Sequence, residues 1–173
     1  VPESLESLGM AGMKVPMWET KVDGEFMSAG SYPVLSLATY ATHDHEPIKT
    51  QWETFRKVTE SGEPAEDVRG AWLFLQRIGR YCGYGGTVEG PIPAYDDEIR
   101  EALIRTLFYT SSKYAAVMIT DLLGLEDRFN VPGTLSDENW NTRLDITVRE
   151  LREGEPWKKI GARAHQLAKD ASR

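Results

Sequence analysis

An α/β fold built on a parallel sheet is predicted by two features of the sequence. Three short apolar, β-prone runs, at 13–17, 34–40 and 115–119, are each followed by loop and helical character, and that alternation implies parallel pairing. The second and third runs also stop abruptly at carboxylates, Asp44 and Asp121, where parallel α/β folds gather their chemistry. Three strands are too few for a closed barrel or a well-covered sheet, so part of the sheet is expected from elsewhere. One segment, 1–173, with no separate second domain is expected, since no repeat, low-complexity tract or linker divides it.

Residues 4–8 are amphipathic, and Pro2 suits a first helical turn; Gly9 and Gly12 end it. The first strand, 13–17, carries Pro16, which argues against a central place in a sheet. Residues 21–32 are polar and glycine-containing, a loop. The second strand, 34–40, ends in the β-favouring Thr39 and Tyr40 and delivers His43, Asp44, His45 and Glu46 at its carboxyl end. After Pro47 the period changes. Ile48, Trp52, Phe55 and Val58 recur at helical spacing, and a second helix over 65–81 turns Ala71, Trp72, Leu75 and Ile78 inward. Residues 83–93 form a loop that lacks the Gly-Lys-Ser/Thr ending of a phosphate cradle. Asp96, Asp97 and Glu98 open the next helix with negative charge at its positive end, and Ile99, Leu103, Leu107 and Phe108 give it an apolar face. The third strand follows, then a turn-rich stretch through Thr134, then Asn139, Trp140 and Arg143. Residues 145–171 read as helix, interrupted at Gly154-Glu155-Pro156.

Composition narrows the function. A formal net charge of −7 argues against a nucleic-acid partner, which needs a basic face, and suits solubility beside a neutral ligand such as a carbohydrate. A single cysteine, Cys82, excludes an internal disulfide and fits a reducing, cytoplasmic setting. Its neighbours offer no base, so a structural role is expected. No apolar run approaches the length of a membrane span, and no membrane partner is expected. A chain that opens on Val1 rather than Met is expected to be a processed product or an excised piece.

The chemistry-bearing residues leave alternatives open. Asp44 is as well placed for acid/base or charge-stabilising work as for a helix N-cap. His43 and His45 alternate faces, the helical His-Glu-x-x-His spacing is absent and His165 lies far along the chain, so no metal is expected. No Gly-x-Ser-x-Gly elbow supports a serine triad. Trp18, Trp52 and Trp140 could stack on pyranose rings, although Trp52 falls on an apolar helix face and reads as core. Arg128, Asn130, Asn139 and Arg143 supply hydrogen-bonding groups around Trp140.

Several segments, in order along the chain, resemble the 4-α-glucanotransferases of the amylomaltase or disproportionating-enzyme family. They are Tyr40 with Thr42-His43-Asp44; Asp121-Leu122-Leu123-Gly124-Leu125 continuing to Arg128-Phe129-Asn130-Val131-Pro132-Gly133-Thr134; and Asn139-Trp140 with Arg143. The opening Val1-Pro2 and Leu8-Gly9-Met10-Ala11-Gly12-Met13-Lys14-Val15 is similar to the stretch that follows the family's acid/base glutamate. Residues 55–95 match only in general character. The resemblance implies the last three βα units of a TIM (β/α)₈ barrel, incomplete alone, and a retaining transfer of α-1,4-glucan segments between maltooligosaccharides, without cofactor or metal. Asp44 matches the carboxylate that stabilises the transition state and His43 its sugar-binding neighbour. Arg128, Asn130 and Asn139 match substrate-side loop positions, and Asp121 matches the carboxylate after the last barrel strand; these four and Trp140 are the further substrate-binding residues expected. The nucleophile and the acid/base are implied to belong upstream, so the partners expected are the glucan and the remaining N-terminal part of the barrel, and the isolated chain is expected to be inactive. Two departures stand out: His45-Glu46-Pro47 replaces the usual Asn-Asp-Thr, and Pro16-Met17-Trp18-Glu19 replaces a glutamine-and-phenylalanine run. The alternatives are a non-catalytic glucan-binding or interaction module and a metal-dependent hydrolase through His43, Asp44 and His45.

Overall fold

Three short strands pair side by side and in parallel in the computed structural model, which describes residues 2–62, 64–85, 91–137 and 139–173. They are β1 (Gly12–Lys14), β2 (Ser36–Ala38) and β3 (Tyr114–Ala115), in the order β1-β2-β3. Met13 lies opposite Leu37, and Ala38 opposite Ala115. The central strand is built from small residues: Ser36 and Ala38 are fully buried, and the Ser36 hydroxyl lies 2.7 Å from that of Ser112, tying β2 to the approach to β3. Parallel pairing brings the residues after all three strands to one end of the sheet.

The helices are α1 (Pro2–Ser7), α2 (Ile48–Thr59), α3 (Ala65–Cys82), α4 (Asp97–Phe108), α5 (Ile119–Leu123), α6 (Val148–Glu153) and α7 (Trp157–Asp170). Their apolar stripes account for the core. Trp52 and Ile48 of α2, Leu75 and Ile78 of α3, and Ile99, Leu103 and Leu107 of α4 bury together against Ala38 and Tyr40. Phe55 and Phe74 close the α2–α3 contact with ring centroids 4.4 Å apart. Trp52 is core, as its helix position implied, and its indole N–H donates to Pro93 O at 2.9 Å. Local chemistry marks the helix ends: Asp96 caps α4 by accepting from Ile99 N at 2.9 Å, Gly83 closes α3 at φ 68°, and Thr147 with Glu150 forms a capping box on α6. Cys82 is buried, and burial raises its thiol pKa, which suits packing rather than nucleophilic chemistry.

The structure corrects four expectations. The first strand ends at Lys14, because Pro16 starts a 3-10 turn over Pro16–Trp18. No α-helix follows β1; the crossover to β2 is loop and 3-10 turn. The third apolar run stops pairing at Ala115, and from Ile119 it is helix α5. An apolar run of that length reads equally as strand or buried helix. Trp72, expected inward, is 37% exposed. Residues 86–90, within the expected 83–93 loop, lie outside the described residues. Among the described residues, no helix is long and apolar enough to cross a membrane.

Candidate active site

Beyond Ala38 the chain runs through a buried neck into an exposed turn. Tyr40 anchors the neck: its ring is 4% exposed and its hydroxyl donates to Leu103 O at 2.9 Å. The turn over 42–45 closes with His45 N donating to Thr42 O at 3.0 Å. His45 Nδ1 accepts from Thr42 N at 3.2 Å, so in the neutral ring the proton sits on Nε2. The two histidines diverge. His45 packs on Trp18 (centroids 4.9 Å apart) and His43 on Trp140 (4.8 Å apart). Among the described residues, no group of three or more His, Cys, Asp or Glu is placed to hold a metal ion.

Asp44 stands between these aromatic pairs with its side chain 43% exposed. Its Oδ1 accepts from Asn130 Nδ2 at 2.5 Å and lies 3.4 Å from His43 Nε2. Arg128 grips the same turn, its Nη2 donating to Asp44 O at 3.0 Å and its Nη1 to Glu46 Oε1 at 3.1 Å. Asn139 shapes the adjoining loop: its Oδ1 accepts from Val131 N at 3.0 Å and its Nδ2 donates to Thr134 O at 3.1 Å. Gly133 supplies the left-handed turn there, at φ 76°. An open cleft is lined by Arg128, Asn130, Asn139 and Thr142, and it reaches Asp44 only through the bonds that Asn130 and Arg128 make to that residue.

Trp140 holds a backbone conformation that bulky residues rarely adopt, φ 66°. Its amide donates to Phe129 O at 2.7 Å, and its ring lies against His43. Strain of this kind costs about 1–3 kcal/mol and persists where surrounding contacts enforce it. Here those contacts present a 59% exposed indole beside His43.

Asp121 departs from its expected place among the substrate-binding groups. It is 4% exposed, and its Oδ1 accepts from Ile48 N at 2.8 Å, capping α2, whose N-cap Pro47 has no side chain that could do so. Burial pushes its carboxyl up to about 6, against the lowering effect of that hydrogen bond. Its hydrogen bond holds the start of α2, and it is not among the residues that line the cleft. Arg143 is exposed, with Nη1 donating to Thr142 O at 3.5 Å. Glu46 was missed in its present role; it stood in the charged cluster, but its pairing with Arg128 spans 82 positions and leaves no local signature. Thr142 was missed for the same reason, its hydroxyl donating to Arg128 O at 3.0 Å.

Comparison with known proteins identifies the family. The family profile of 4-alpha-glucanotransferases matches residues 1–147. The 4-alpha-glucanotransferase of Chlamydia caviae is 27% identical over 163 residues, covering 87% of this chain and 27% of that protein. That of Chlamydia muridarum is 25% identical over the same shares. Amylomaltase from Corynebacterium glutamicum superposes with a TM-score of 0.73 at 21% identity, over 96% of this chain and 26% of that one. Amylomaltase from Streptococcus agalactiae in complex with acarbose gives 0.66 at 21% identity, over 99% and 29%. The fold is thus shared with a portion of these amylomaltases, and the chain spans about a quarter of the length of the relatives it matches. The chain belongs to the 4-alpha-glucanotransferase family, glycoside hydrolase family 77.

Proposed function

We propose that this chain forms the last three βα units of a (β/α)₈ barrel that transfers α-1,4-glucan segments between maltooligosaccharides by a retaining double displacement. Asp44 is the carboxylate that stabilises the transition state, and the nucleophile and acid/base carboxylates come from the rest of the barrel. The observation that carries the reading is the Asp44 carboxylate at the carboxyl end of β2, held by Asn130 and flanked by His43 and Trp140. The sheet supports the partner: among the described strands, β1 and β3 each pair on one side, and Met13 and Tyr114 on those edges are both 48% exposed.

The geometry suits the chemistry. In an oxocarbenium-like transition state, positive charge grows on the anomeric carbon and ring oxygen. A carboxylate fixed beforehand and hydrogen-bonded to sugar hydroxyls binds that state more tightly than the ground state. Asn130 fixes Oδ1 and leaves Oδ2 for the sugar. His43 offers Nε2 at the same edge, Trp140 a face for a pyranose ring, and Asn139 lines the cleft.

The test is Asp44→Asn in the complete enzyme on maltotriose, read as glucose release and chain-length redistribution. A fall of about 10²–10³-fold is expected, the usual consequence of losing one preorganised stabilising group. Undiminished transfer would remove Asp44 from the role. Titration of the isolated chain with maltooligosaccharide should show no turnover.

A further inference from the structure

We infer that Arg128 is a positioning residue for Asp44, a clamp on the 44–46 turn rather than a ligand for the substrate. The inference rests on the role proposed for Asp44. Each of the three nitrogens of the Arg128 guanidinium donates one hydrogen bond inside the protein, three of its five N–H groups. Nε donates to Asn130 O at 2.9 Å, Nη1 to Glu46 Oε1 at 3.1 Å and Nη2 to Asp44 O at 3.0 Å. Asp44 and Asn130 are the two residues joined by the short Oδ1–Nδ2 hydrogen bond. One planar group therefore fixes the main chain at both ends of the contact that orients the carboxylate.

The clamp is itself anchored. Thr142 Oγ1 donates to Arg128 O at 3.0 Å, and the next residue, Phe129, accepts from Trp140 N at 2.7 Å. The side chain is 29% exposed and runs between two loops that are also joined by the Asn130–Asp44 hydrogen bond and the His43–Trp140 ring contact. A guanidinium is well matched to such a clamp. Its rigid fork holds several acceptors at fixed directions with little further ordering, whereas an ammonium is a point charge on a flexible stem. A displacement of about 1 Å at a catalytic group can lower a rate by about 10²-fold, so a residue that never meets the sugar can control kcat.

The experiment uses the complete enzyme with Arg128→Met, Arg128→Lys, Glu46→Gln and the Arg128→Met/Glu46→Gln double variant. Maltotriose kinetics and hydrogen exchange of the 42–46 amides are measured on each. Arg128→Met is expected to lower kcat by about 10²-fold while KM stays within about twofold, the signature of lost transition-state stabilisation without lost ground-state binding. Arg128→Lys should recover kcat only in part. Glu46→Gln should have a smaller effect that adds nothing to Arg128→Met, because both act through one contact. Exchange over 42–46 should quicken in Arg128→Met while that of α3 is unchanged. A raised KM at unchanged kcat would make Arg128 a substrate ligand and overturn the clamp, as would full recovery by lysine. An enzyme that leaves maltooligosaccharides untouched defeats the proposed function instead. The exchange arm still decides the clamp, and unaltered 42–46 exchange overturns it.

Discussion

Asn130 Nδ2 donates to Asp44 Oδ1 across 2.5 Å, joining two segments 86 positions apart at the carboxyl end of the sheet. A hydrogen bond to an ionised group contributes about 1.5–3 kcal/mol, or about a tenfold to hundredfold change in rate if it is realised in the transition state. Asn130→Ala is therefore expected to lower kcat/KM of the complete enzyme in that range. Asn130→Asp should be worse, since it sets a second carboxylate against the first. Steady-state kinetics on maltotriose check both, and an Asp variant as active as wild type would contradict the geometry.

Trp140 allows its ring and its backbone to be tested separately. At φ 66° an alanine keeps the strain and loses the indole, whereas a glycine loses the indole and relaxes the strain. Both variants should weaken maltooligosaccharide binding to the same degree. Trp140→Gly should be the more stable of the two by about 1 kcal/mol, the scale of a left-handed residue changed to glycine. Isothermal titration and thermal unfolding give the two readings independently.

What the sequence revealed of this arrangement follows the range of the interactions. Helical periodicity placed α2, α3 and α4 to within a few residues, because a buried stripe must recur every three or four positions. Trp72 escaped that logic: it lies beside the stripe, and periodicity does not fix how wide a stripe is covered. The strands were shorter than their apolar runs. Pro16 diverted the first into a 3-10 turn, and the third passed into α5, whose Leu123 is as buried as a strand residue would be. At the site, the grouping of His43, Asp44, Arg128, Asn130 and Trp140 was legible through the resemblance. The Glu46–Arg128 pair and the Asp121–Ile48 cap were not, since they join residues 82 and 73 positions apart that only the folded chain brings together.

The core beneath the turn should behave as a close-packed interior. Leu75 is fully buried in the cluster that also contains Trp52, Ile78 and Leu103. Leu75→Ala is expected to cost about 2–5 kcal/mol, the transfer free energy of the lost atoms plus a cavity contribution. Chemical denaturation followed by tryptophan fluorescence measures it, and a loss below about 1 kcal/mol would show that α2, α3 and α4 repack freely.

Asp121 predicts an unusual pH dependence. Its folded carboxyl titrates at about 6, raised by burial from an ordinary value of 3.8. A raised folded pKa means the native state holds the proton more tightly than the unfolded chain does. Stability from this group is therefore fully present below about pH 4 and is lost as pH rises through about 6. The shift of about two units corresponds to about 3 kcal/mol, since each unit is about 1.36 kcal/mol. Asp121→Asn keeps a carbonyl oxygen for Ile48 N but has no proton to lose, so it removes the pH dependence while leaving an acceptor for the cap. Denaturation of both proteins between about pH 4 and pH 7 should show the wild type losing ground to the variant by about that amount, because other groups titrate alike in both. A stability difference that stays flat across that interval would mean that Asp121 is ionised at no cost where it caps α2.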